Sequence, residues 1–245
     1  MTDQQTHPQS GTLSARVANS PLFRWLLGRD DPERRPTDPV DVLYRSFHIT
    51  SKCRYNASIR LSRVGSFSFL TGTVLSLGMI LIPTLQVAEF PLAYPQRIVG
   101  SLQVFIAVAV LVYSVINATA HYETRAQSLN ESGDRIKELS RNLRTARADA
   151  EAHGKVLDLA PFNQMYTSVS TISENHSRAD YTFAKLQATE WYHITGLPRL
   201  WLNLVVIVEH AFSYLLPTAL MIAEALLITD MLGITHIMTG VFAVQ

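Results

Sequence analysis

Gln103, Ala107, Val110, Ser114, Asn117 and His121 recur at spacings of four and three inside an uncharged apolar run. On a helix that spacing puts two amides, a hydroxyl and an imidazole on one side. Asn203, His210, Pro217 and Glu224 follow at intervals of seven, again one helical face. Ser68, Gly72 and Ser76, at intervals of four, make a face of small residues. In apolar surroundings these side chains suit two kinds of chemistry. They can close-pack and hydrogen-bond one helix to another, or they can line a water-filled path. An ionised glutamate facing lipid is costly, so Glu209 and Glu224 are expected to face protein or water. Spacing alone leaves packing and path both open.

Covalent chemistry finds less support. The segment Glu174-Asn-His-Ser-Arg-Ala-Asp180 gathers several reactive types. Read as a helix, it puts Glu174, Arg178 and Tyr181 on one side and His176 with Asp180 on another, a pattern that suits ion pairing along a helix surface. No phosphate-binding glycine loop, dinucleotide fingerprint, nucleophile elbow or H-E-x-x-H motif occurs. No Cys-x-x-Cys pair or His/Cys cluster offers a metal site, and no cofactor is expected. The single cysteine, Cys53, reads as a small packing residue. A formal net charge of +1 gives no reason to expect direct nucleic-acid binding.

The elements that must carry these faces are membrane helices. Val64–Ile82 and Ile98–Ala120 are apolar and free of charge. At about 1.5 Å per residue each can cross a hydrocarbon core of about 30 Å. The link Pro83–Arg97 is too short for a domain, so the two form a hairpin. Residues 1–40 are rich in Gln, Ser, Thr, Pro and Arg and read as a disordered tail, with Pro21–Leu27 as a docking patch for a partner or the membrane surface. Asp41 is the expected N-cap of an amphipathic helix over 41–63. The basic residues of that helix, Arg54 and Arg60 among them, fit anionic lipid headgroups.

Ten of the 21 Lys and Arg residues precede the first span, ten lie between His121 and Arg199, and the last 46 residues hold none. This asymmetry places the N-terminus and 121–199 in the cytoplasm, with the chain in the inner membrane. Residues 121–199 read as two helices. The first carries a coiled-coil-like seam of Tyr122, Ala126, Leu129, Gly133, Ile136, Ser140 and Leu143, weakened by Gly133 and Ser140. The second starts at Pro161 and runs to Gly196-Leu-Pro198, and the two seams are expected to pack against each other or between subunits. Leu200–Leu232 is a third membrane region, read as one helix kinked at Pro217 with a broken or re-entrant pair as the alternative, and 233–245 is left unassigned. The fold class is thus an all-α membrane protein: a transmembrane hairpin, a cytosolic helical pair and a third C-terminal membrane helix.

Arg54-Tyr-Asn-Ala-Ser-Ile-Arg-Leu-Ser62 leading into the hairpin, Tyr122-Glu-Thr-Arg-Ala-Gln-Ser-Leu129 following it, and Glu174-Asn-His176 with Asp180-Tyr181 further on together resemble the SLATT family of bacterial two-span effector domains. The resemblance covers residues 41–195. It implies a membrane effector of an anti-phage or conflict system that disrupts the membrane or forms a pore. It also implies a cytosolic sensor or nucleotide-handling partner, a reverse transcriptase for the subgroup most resembled. The third apolar region and the long N-terminal tail depart from the two-span pattern. Three functions therefore stand as expectations: an oligomerising pore or membrane disruptor, a membrane scaffold that recruits a cytosolic partner, and a small channel or transporter subunit.

Overall fold

The computed structural model describes residues 25–26, 36–172, 174 and 176–237, and every element of regular structure in it is helical. The expectations for the tail 1–40 and for 233–245 fall mostly outside those residues. The frame is two long antiparallel rods. The first is α1, Pro39–Val87, a single helix of 49 residues that unites the pre-membrane helix with the first span. At about 1.5 Å per residue it is roughly 70 Å long, far more than a bilayer core requires. Asp38, and not Asp41, caps it: its carboxylate accepts from Val40 N at 3.1 Å, and Pro39 occupies the first turn. A proline with no N–H to satisfy suits that position, so the helix starts earlier than expected. Arg147 holds both acids, Asp41 at 2.5 Å and Asp38 at 3.1 Å.

The second rod is α2, Gln96–Thr119, continued by α3, Tyr122–Ala152. Together they extend over 57 residues. The joint is His121, whose backbone is left-handed at φ 48°. A side chain rarely sits there without strain.

The expected α3 seam exists, but its main partner is α1. Ala126 and Leu129 pack with Ala57 and Leu61, and Ile136, Leu139 and Leu143 pack with Leu43 and Phe47. Gly133 does not weaken this seam; it seats a ring. A Cβ there would lie 3.0 Å from Tyr55 Cε1, and the Tyr55 hydroxyl donates to Asp134 at 2.7 Å. Gly133→Val is therefore expected to cost about 1–3 kcal/mol through overpacking. The check is thermal unfolding in detergent, with Tyr55→Ala in the same chain recovering part of the loss.

The second cytosolic helix expected from the sequence is two helices, α4, Ala160–Ile172, and α5, Arg178–Gln187. α4 closes over the Phe47 and Leu143 cluster with Phe162, Tyr166 and Val169. The loop after α5 packs Trp191 and Tyr192 on Ile49 and the buried Cys53. Gly196 then opens α6 at φ 64°, where the Leu26 carbonyl lies against its Cα and leaves no room for a side chain.

The third apolar region is also two helices, α6, Gly196–Phe212, and α7, Leu215–Met231, bent by 57°. One helix kinked at Pro217 is not what forms; the broken pair is. Pro217 has no N–H for the Ser213 carbonyl four residues back, and its ring crowds that carbonyl. The chain tightens instead, with Ser213 N donating to His210 O and Tyr214 N to Ala211 O. α7 then packs along α1 and α2, through Leu220 on Leu75, Val110 and Tyr113, and through Leu227 and Met231 on Ile82 and Val99. At its far end Tyr94 donates to the buried Asp230, and Ala93 N donates to Met231 O at 2.9 Å. The two rods are long and apolar enough to cross a membrane, and α6 with α7 makes a third crossing if the bent pair is one span.

Candidate functional site

Two of the three predicted faces meet. Ser68, Gly72 and Ser76 from α1 and Ser114 and Asn117 from α2 line one groove of about 460 Å³. α7 lies elsewhere on α1, along Thr71, Gly78 and Ile82. The hydroxyls of the groove satisfy themselves on their own helices. Ser76 donates to Gly72 O at 2.8 Å, Thr73 to Phe69 O at 3.0 Å and Ser114 to Val110 O at 2.8 Å. That is the usual way for a serine or threonine to remain in an apolar helix. The half-buried Asn117 amide has no hydrogen-bond partner among the described residues. A Cβ on Gly72 would meet nothing within 4 Å, so the groove is open there. Toward the extramembrane half it widens into a cleft of about 820 Å³ lined by Ser62, Ser66, Asn117, His121 and Asn130. Val110 turns away to α7, and Gln103 is half-buried outside both hollows.

The third face is divided by the bend. Asn203 and His210 stay on α6, and Pro217 and Glu224 lie on α7. Glu224 is 5% exposed, and its Oε1 has no hydrogen-bond partner. Its carboxyl occupies the slot left by Gly78, where a Cβ would lie 2.6 Å from the carboxyl carbon. A buried polar group without a partner costs about 1–3 kcal/mol. Glu224→Met is expected to recover much of that cost and raise the melting temperature in detergent. Gly78→Leu, which forces the same side chain out of its slot, is expected to lower it.

Sequence reasoning missed a third cluster, at the junction of the module with the membrane helices. Asp180 has no exposed surface. Arg60 of α1 grips it with two bonds, at 3.1 and 2.9 Å. Ser177 completes a capping box, its hydroxyl accepting from Asp180 N at 3.2 Å while its own N–H donates back at 3.2 Å. Burial pushes the Asp180 carboxyl up, but Arg60 and Ser177 outweigh it and hold the group below its usual range. His210 of α6 brings its Nε2 to 3.8 Å from the same carboxylate. One carboxylate thus joins α1, α5 and α6.

Arg54, 1% exposed, donates to the backbone carbonyls of Ser170 and Glu174 and pins the gap between α4 and α5. The Glu174 carboxylate pairs with Arg125 of α3 at 2.9 and 3.1 Å. Arg54 and Arg60 therefore serve the protein interior, against the expectation that they meet lipid headgroups. The 174–180 acids pair between elements, against the expectation of pairing along one helix. Ser177-x-x-Asp180 is itself a helix-start signature, and it would have revealed both the break and the buried acid.

These groups make no nucleophile–base pair. They provide a polar groove inside the membrane half and a charge-clamped joint beneath it. The family model described as SMODS and SLOG-associating 2TM effector domain family 5 matches residues 37–229. No curated protein and no solved structure matches the chain.

Proposed function

The chain belongs to that 2TM effector family, whose members are membrane effectors of conflict systems, and from this premise we propose that it permeabilises the membrane as an oligomer when a cytosolic partner engages α3–α5. The observation that carries the reading is the groove between α1 and α2. Lipid tails offer nothing to an asparagine amide or a serine lone pair, so such a face calls for another helix or for water. Within one subunit α7 leaves it uncovered. A second copy would cover it by close approach at Gly72, where no side chain intervenes. Repetition around a ring would turn the same polar face toward a central path.

The charge distribution supports an inner-membrane location with the module in the cytoplasm, where a sensor, a nucleotide-handling enzyme or a reverse transcriptase would meet it. The Arg60–Asp180–His210 joint is the route from that module to the membrane helices. The action requires no catalytic step. Oxidative cross-linking of Ser76→Cys in native membranes tests the assembly. Triggered cells should give a disulfide-linked dimer, the product that one reactive thiol per subunit allows, with dye influx on the same time course. Monomer alone beside full dye influx would exclude this groove as the contact. Full cross-linking without influx would favour a scaffold.

A further inference from the structure

Of the 17 residues of α6 one, Val206, is buried. Leu200 and Trp201 are each 66% exposed, and Leu204, Ile207, Val208 and Phe212 are exposed with them. Its covered side faces the extramembrane module: Val206 is buried, the Phe183 ring of α5 meets the His210 ring, and His210 reaches Asp180. A half-span within the hydrocarbon could not also rest on α5, a short polar helix whose buried acid is gripped by Arg60. Its end is fixed at the membrane boundary, because Tyr214, just beyond it, stacks edge-on against Phe67 at the start of the first span, with centroids 5.2 Å apart. The axis stands 57° from α7, so α6 lies more nearly along the membrane surface than across it if α7 crosses upright. Its apolar surface runs on into that of α7, which packs along the membrane-crossing stretches of α1 and α2.

We propose that α6 is an interfacial helix, seated in the bilayer surface on the module's side, and that α7 alone makes the third crossing. The occupant of its exposed apolar face is lipid, at the boundary of headgroups and acyl chains, where the exposed Glu209 beside that face keeps its carboxylate in headgroup water. α7, with 17 residues, is at the lower limit for a span. Trp201 is of a type that favours that boundary, and Arg199 can extend from it into the headgroups. This placement does not depend on how the protein acts, and it holds equally for a pore or a scaffold.

Single nitroxide labels on the full-length chain test it, at Leu200→Cys, Trp201→Cys, Leu204→Cys, Ile207→Cys, Val208→Cys and Phe212→Cys, in vesicles of phosphatidylcholine and phosphatidylglycerol. Cys53 is buried and its thiol is pushed up to about 12, first by burial and then by Asp180, so it does not compete for label. The expected result is access to oxygen at all six positions, with a depth that changes by about 0.8 Å per residue or less, the share of the 1.5 Å rise that a 57° axis angle leaves along an upright α7. A depth that climbs by about 1.5 Å per residue from 200 to 212 would show half of a continuous span and overturn the proposal. Poor access to both oxygen and a water-soluble reagent would show a protein partner on this face and overturn it equally. Brominated lipids give a second reading without labels. Comparing the native chain with Trp201→Phe isolates the Trp201 emission, which bromine near the headgroup should quench more than bromine near the chain end.

Discussion

Gly72→Leu is expected to abolish membrane permeabilisation and the cross-linked dimer while leaving the subunit folded. A side chain at this position projects into open space, so nothing in the monomer resists it. It fills the groove between Ser68 and Ser76 on one side and Ser114 and Asn117 on the other. Close approach of helices in lipid rests on contact made possible by small residues, and a leucine here holds a neighbouring backbone away. Gly72→Ala should retain partial activity, because one methyl leaves most of the groove open. Asn117→Leu removes the unbonded amide without filling the groove. It is expected to keep some assembly and lose conductance, which separates contact from path. Dye influx, cross-linking and a thermal melt of each variant read the three effects apart.

Asp180→Ala is expected to be the most destabilising single change, at about 3 kcal/mol. It leaves the Arg60 guanidinium, 22% exposed, without its two bonds, and it removes the capping box of α5. Losing one partner of a buried pair costs about 3–5 kcal/mol, and the partial exposure of Arg60 puts this site at the low end. Asp180→Asn keeps the shape and loses the charge. Because the folded carboxyl is held below its usual range, its contribution is fully present above the unfolded value of about 4 and fades as pH falls through the folded one. The stability gap between the native chain and Asp180→Asn should therefore be constant near neutral pH and close in strong acid. A cycle with Arg60→Ala should show strong coupling. Since the same carboxylate faces His210, these variants should also loosen α6 from the module and weaken the response to a trigger.

The membrane rods and the α3 seam were legible because each rests on a local periodicity that burial then satisfies. The faces Ser68–Ser76 and Ser114–Asn117 were legible as separate stripes, and only the hairpin geometry brings them together. The α4–α5 break has a local signal in Ser177-x-x-Asp180, but the groups that hold it are distant. Arg54 and Arg60, 116 to 120 residues earlier in the chain, take up the carbonyls and the acid that the break exposes. Both arginines also suit headgroups, so charge alone misassigned them. The stripe from Asn203 to Glu224 assumed an unbroken helix, and Pro217 breaks it four residues before its own position. The burial of Glu224 against Gly78 follows from that break and from no pattern within the segment itself.

Membrane potential, followed in cells that carry the chain with its native genomic neighbours, gives the most direct measurement. On activation the native chain should collapse the potential within the time that cross-linked species form, and Gly72→Leu at equal expression should hold it. An intact potential through full activation of the native chain would contradict permeabilisation as its action.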